Sequence, residues 1–439
     1  MNALPDYLSV RATTLENAWS RFDPHTPLPV GSPFYVERED NPLEQIVMEL
    51  HLARSGSAKY FFAGHRGSGK STELNRLVAD SRIQQRYWPV KFSVREECDF
   101  NDLDVVEVLL AIGAQIYHQY TTTGGKMKKD LLAELEGWKG RTIERLNSKG
   151  ATFQSGAGLD VGQFFLSALL KVKTEHVTRK IVRDEIRPRL SELIGVINLM
   201  SAEVLAQSKR HVLVVVEDMD KPPLKVAQKL FADGYSILTQ PACTIIYTVP
   251  VAIYFDPTFT QIRETSHFLP NVKLHKKQQR DDLSTTGVRA LRHFVLARMD
   301  DGLVAREALD EAVRVCGGVF RELTHVMQQA IINALTHEAQ QVKKKDVDWA
   351  AARIRSGFRR LLSDDDYRLL LDVRDSNEMR HPGKLGPLFH LLAVLEYTNG
   401  ENWCDVHPAL DPLLDEIGPT LDRRETRFLG KNPVSEPQK

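Results

Sequence analysis

The sequence predicts an α/β fold: a three-layer arrangement with a parallel sheet, followed by an all-helical domain. Three observations predict it. The runs "HVLVVVE" (211–217) and "CTIIYTVP" (243–250) are apolar and β-branched without polar alternation, as strands buried on both faces read. Strand-like and helical patterns alternate between residues 34 and 277, which is the mark of βαβ units. Beyond about residue 282 strand signals stop and helical periodicity takes over.

Taken in order, residues 1–33 hold several prolines and little periodicity, and read as an arm. "SPFYVERED" (32–40) is a short strand or turn, and "PLEQIVMELHLARS" (42–55) an amphipathic helix. "AKYFFAG" is a strand, "KSTELNRLVADS" a helix, "RYWPVKFSV" (86–94) a strand and "DLDVVEVLLAIGAQIYHQY" (102–120) a helix. A helical insertion at about 121–208 follows. Within it "GATFQSGAGLDVG" reads as irregular, and its GxG lacks the strand and helix cap of a dinucleotide fingerprint. Residues 179–208 are a long helix that Pro188 bends or breaks. After the run at 211–217 come the helix "KVAQKLFADGYSIL", the run at 243–250, and a fifth strand, "NVKLHK" (271–276). Residues 282–360 form the helical domain, 361–416 a small C-terminal domain, and 417–439 a flexible tail.

At 439 residues, two or three domains are expected. Lys+Arg and Asp+Glu are equal at 58 each, so no global charge points to nucleic acid or a membrane surface. Cys98, Cys243, Cys316 and Cys404 lie far apart without a CxxC, which fits reduced thiols. The run "VGQFFLSALL" (161–170) is too short to span a bilayer, no signal peptide opens the chain, and a cytoplasmic protein without membrane contact is expected. His381, His390 and His407 are not at metal spacing, and Tyr397 and Trp403 read as core.

Gly64-His65-Arg66-Gly67-Ser68-Gly69-Lys70-Ser71, with Thr72 next, matches GxxxxGK[ST] and has a strand before it and a helix after it. Its glycines let successive N–H groups face one concavity, at the positive end of the following helix. Lys70 reaches β- and γ-phosphates, and Ser71 offers its hydroxyl to Mg²⁺; ATP is the expected ligand. Such a loop needs acids at the end of a neighbouring strand. "VLVVVEDMD" supplies Glu217, Asp218 and Asp220. Glu217 is assigned to the Mg²⁺ shell and Asp218 to the attacking water, the reverse of the usual order of acid types.

With these motifs the chain resembles the AAA+ ATPases over roughly residues 34–360, most closely the branch of replication initiators and bacterial STAND-like ATPases, including anti-phage and conflict-system ATPases. The resemblance implies an ATPase whose adenine is held near Tyr35, Val36 and Arg38. It implies a sensor-1 residue at Thr248 and a sensor-2 residue at Arg321 in "CGGVFREL". It places an arginine finger at Arg263, ahead of the fifth strand, and so a homo-oligomer. It also implies that residues 361–416 are winged-helix-like.

Two functions follow. One is an ATP-driven switch acting on a separate effector protein in a bacterial defence or signalling system. The other is a DNA-associated ATPase, initiator-like or a transposition regulator, using basic stretches at 124–129, 179–189 and 356–360. A metabolic kinase fits less well, because no acceptor-binding acid stands out.

Overall fold

The computed structural model describes residues 10–153, 160–280, 282 and 286–429, and side chains as far as 421. The chain forms two compact units. One comprises the described residues of Met1–Asn41, Gly64–Lys70 and Leu269–Lys439; the other comprises those of Pro42–Ala63 and Ser71–Phe268.

The second unit is built on β1 (Lys59–Gly64), β2 (Tyr87–Ser93), β3 (His211–Glu217), β4 (Thr244–Val249) and β5 (Ser266–Leu269). They lie in the order β2-β3-β4-β1-β5. The pairs β1–β4, β2–β3 and β3–β4 are parallel, with Phe62 opposite Thr248 and Ser93 opposite Glu217. Every residue of β4 is buried, and all but the first of β3. Alternate side chains point to opposite faces, so both faces are covered and the unit has three layers. The core joins Phe61, Val214 and Ile245 to Leu109, Val196 and Phe231 from the surrounding helices.

The insertion belongs to the same core. It consists of the helices Lys129–Ser148, Val161–Thr174, His176–Ile186 and Leu190–Ser208. The run read only as too short for a membrane is the helix Val161–Thr174, which packs on helix Val105–Thr122. Asp160 caps it, accepting from the Gln163 amide while the Gln163 side chain accepts from the Asp160 amide. A one-turn 3₁₀ segment, Arg187–Arg189, interrupts the expected long helix at Pro188. His176–Ser208 is apolar enough by composition to cross a membrane, but Leu193, Ile197, Met200 and Val204 of it are buried in the core. Residues 154–159 of the expected irregular stretch lie outside the described residues.

The sequence expectation of a fifth strand at 271–276 is corrected: β5 is Ser266–Leu269. Pro270 follows it and has no N–H for a ladder. The next two amides go elsewhere, Asn271 to the Glu396 carbonyl and Val272 to the Gly318 carbonyl. The expected strand or turn at 32–40 contains no strand.

The first unit collects the helices Thr286–Leu296, Arg306–Val315, Phe320–Thr336 and Lys344–Leu361. The arm is part of it. Helix Leu15–Arg21, capped by the Thr14 hydroxyl, buries Leu15 and Ala18 beside Leu291, Val326 and Met327. Ala12 exchanges backbone hydrogen bonds with Arg298 and Asp300 at 2.9 Å each. Helices Asp364–Ser376 and Pro382–His390 come next, then the antiparallel hairpin β6 (Val394–Thr398) and β7 (Asn402–Val406), then helix Asp411–Leu429. Helix, helix, hairpin, helix is a winged-helix-like order. "TNGEN" is the hairpin turn, with Gly400 at φ 81°. Residues 417–429, expected in a flexible tail, continue the last helix; 430–439 lie outside the described residues. Tyr397 and Trp403 are buried and stacked 4.7 Å apart.

Candidate nucleotide-binding site

The phosphate loop, grouped with the first unit, turns on Gly67 at φ 84° and Gly69 at φ 101°. Both values favour glycine. Lys70 is buried at the start of helix Lys70–Ala79, and its Nζ donates to the Gly64 and His65 carbonyls at 2.7 and 2.9 Å. The loop's outward carbonyls are also held. The Gly67 carbonyl accepts from the Arg321 amide at 3.2 Å, and the Ser68 carbonyl from Arg38 Nη1 at 2.5 Å. Arg321 is thus on the first turn of helix Phe320–Thr336, at the loop; its Nε donates to the Pro24 carbonyl at 3.1 Å. Arg38 also lies over the Phe320 ring, 5.7 Å from its centre. Tyr35 and Val36 are half-buried three and two residues ahead of it, Val36 against the helical core. Arg66 is half-buried on the loop.

His65 is 1% exposed. Its Nε2 accepts from the Glu396 amide at 2.9 Å. Burial first, and then the neighbouring Lys70 charge, bring its pKa down to about 3, so the ring is neutral.

The acids belong to the second unit, at the end of β3. Glu217 pairs with Lys91 of β2 and is hydrogen-bonded by the Ser71 side chain. Burial raises its pKa against the opposing pull of Lys91. Asp218 stands at φ 66°, pairs with Lys221, and accepts from the Ser93 hydroxyl at 2.7 Å. Asp220 is buried. Thr248, on β4, accepts from the Met219 amide at 3.0 Å and so fastens the turn that carries these acids. Thr72 is half-buried on the first turn after the loop. Arg263 is exposed on the short helix Thr260–Glu264 before β5, 5.9 Å from the Tyr254 ring centre.

Sequence reasoning missed Lys91 and Ser93. Their spacing of two puts both on one face of β2, and the register sets Ser93 beside Glu217. That parity was the available signal.

The residues fit the groups the motif implies. The Ser68 hydroxyl is buried with no hydrogen-bond partner, inside a turn of left-handed glycines of the kind that forms anion-binding concavities. Ser71 and Glu217 together offer the hydroxyl and carboxylate oxygens that Mg²⁺ takes alongside phosphate and water.

No family model matches the chain, and no curated protein matches it. Solved structures similar to it include Cdc6p from Pyrobaculum aerophilum, at 11% identity and TM-score 0.41, covering 94% of this chain and 100% of that one. The ORC1 protein of Aeropyrum pernix, solved in complex with DNA, is similar at 13% identity and TM-score 0.38, covering 87% and 93%. Drosophila ORC bound to DNA gives 11% identity and TM-score 0.38, covering 93% and 92%.

Proposed function

We propose that the chain is an AAA+-type P-loop ATPase of the initiator branch, whose helical unit reads the bound nucleotide. The observation that carries this is the joint geometry of loop and helix. The loop has two left-handed glycines and a buried, unpartnered Ser68 hydroxyl, and helix Phe320–Thr336, the lid helix, sets its Arg321 amide on the loop's Gly67 carbonyl. In this reading loop amides and Lys70 bind the ATP phosphates. Lys70 Nζ exchanges its loop carbonyls for phosphate oxygens. Ser71 and Glu217 hold Mg²⁺, which would neutralise charge on the transferring group. Asp218, oriented by Ser93, takes a proton from the attacking water. Arg321 follows the γ-phosphate and moves the lid helix with it.

Lys70→Ala tests the assignment. Isothermal titration should show ATP binding nearly abolished, and an affinity within about threefold of the parent, roughly 0.65 kcal/mol, would refute it.

For the partner, a DNA-associated role is the first reading. The C-terminal order is winged-helix-like, and helix Lys344–Leu361 exposes Lys345 and a half-exposed Trp349 with Arg353 4.9 Å from its ring centre. Such cation–aromatic pairs suit nucleic-acid contacts. A protein effector in a defence or signalling system is the second reading. Zero net charge favours it, as does the pairing of Arg359 with Glu416, Lys344 with Asp348, and Arg380 with Asp372 and Glu378. A duplex-binding titration against salt separates them. A log–log slope equivalent to several released ions supports DNA, and no salt-dependent binding supports the effector.

A further inference from the structure

We propose that His65 is a positioning residue through which the C-terminal hairpin preorganises the phosphate loop, so that nucleotide binding and the state of the hairpin are coupled. The inference rests on the loop being the ATP site.

The phosphate gives no reason for histidine here. The position is one of the four that GxxxxGK[ST] leaves open, and the ring points away from the loop's cradle into the first unit. Its Nε2 takes the Glu396 amide of β6 at 2.9 Å, and it packs against Phe389 at 5.8 Å between ring centres. Its own carbonyl, meanwhile, holds Lys70 Nζ at 2.9 Å. One residue therefore touches the hairpin with its side chain and the phosphate-binding lysine with its backbone.

The outer edge of β6 is bound at further points. The Glu396 carbonyl accepts from the Asn271 amide and from Asn271 Nδ2, both at 3.2 Å. The Tyr397 hydroxyl donates to the Gly317 carbonyl at 2.7 Å. Gly317 lies in the turn before the lid helix, whose Arg321 amide bonds the Gly67 carbonyl. The hairpin thus reaches the loop by two routes, directly at His65 and through the lid turn at Tyr397. With loop and turn held, ATP meets a cradle that needs little further ordering. By linkage, whatever loosens the hairpin weakens ATP, and ATP tightens the hairpin.

The test uses the full chain. ATP affinity is measured by calorimetry for the parent, His65→Ala, His65→Gln and Tyr397→Phe, and for the His65→Ala/Tyr397→Phe double variant. Hydrogen exchange of residues 394–398 is followed with and without ATP. Losing one such hydrogen bond should weaken ATP about fivefold in His65→Ala. His65→Gln, which keeps an acceptor, should restore most of it. Tyr397→Phe removes one hydroxyl and leaves the loop's own residues unchanged; it should still weaken ATP severalfold. The double variant should lose less than the product of the two. ATP should slow exchange at 394–398 in the parent and not in His65→Ala. Should His65→Ala fail to fold, His65→Gln and Tyr397→Phe carry the test. A parent that binds ATP with unchanged exchange at 394–398, or a Tyr397→Phe with parental affinity, overturns the coupling while leaving the site reading intact. A parent that binds no ATP overturns both.

Discussion

At Gly67 the loop lies directly against the lid helix, and that closeness yields a sharp prediction. A Cβ added at Gly67 would stand 2.4 Å from the Arg321 Cβ. Both atoms are fixed by their backbones, so no side-chain rotation relieves the contact and the lid helix must shift. Overpacking of this kind costs about 1–3 kcal/mol. The left-handed backbone, φ 84°, adds roughly 1–2 kcal/mol for alanine. Gly69 is the control. Its φ is 101°, but its added Cβ would meet only Phe320 at 3.7 Å and Arg38 at 3.8 Å, ordinary contact distances. Gly69→Ala therefore bears the strain without the clash. Urea unfolding should place Gly67→Ala about 1–3 kcal/mol below Gly69→Ala, the clash contribution alone. ATP binding to Gly67→Ala should fall with it, because the Arg321 amide loses the Gly67 carbonyl. A Gly69→Ala variant as destabilised as Gly67→Ala would refute the argument, since the lid helix would then not be seated on the loop.

Three further outcomes are expected. Asp218→Asn should keep ATP binding and stop hydrolysis in a phosphate-release assay, whereas Glu217→Gln should weaken Mg²⁺-dependent binding; normal Mg²⁺–ATP binding by Glu217→Gln with lost turnover would exchange the two roles. If Arg263 completes a neighbour's site, ATPase rate per chain should rise with concentration and Arg263→Ala should flatten that rise; a constant rate across an about hundredfold dilution, with a monomeric mass in ATP, would show the switch to work within one chain. Burial lowers the pKa of His65 to about 3 and of His407 to about 4, from 6.5. Both folded values lie below the unfolded one, so their contribution is present above about pH 6.5 and is lost as pH falls toward 4, at about 1.4 kcal/mol per pH unit for each group. His65→Gln and His407→Gln should each flatten the fall in urea midpoint between pH 6.5 and 4.5, and an unchanged slope in both would refute the assignment.

What could be read from the sequence depended on where each residue finds its partners. β3 and β4 were legible because a strand buried on both faces is apolar throughout, and that pattern is local. The loop was legible because a phosphate fixes its glycines and Lys70. β5 was not: the amides of Asn271 and Val272 satisfy carbonyls of Glu396 and Gly318, far along the chain, and no local pattern shows this. The helix within the arm was not legible for the same reason. Leu15, Ala18 and Phe22 are few, are followed at once by Pro24, Pro27 and Pro29, and become a core face only beside Leu291 and Met327. Lys91 and Ser93 look like the polar side of an ordinary strand until the register sets Ser93 against Glu217.

The loop itself divides in the same way. Gly64, Gly69 and Lys70 are dictated by the anion, so any sequence with this motif shows them. The residues between are free of that demand, and their identities must answer to what lies behind the loop. His65 answers to the Glu396 amide. Changes at the glycines should accordingly act on the phosphate site and the fold together. Changes at His65 should leave the cradle's shape and alter how strongly the hairpin supports it, which is a property of this chain and not of the motif.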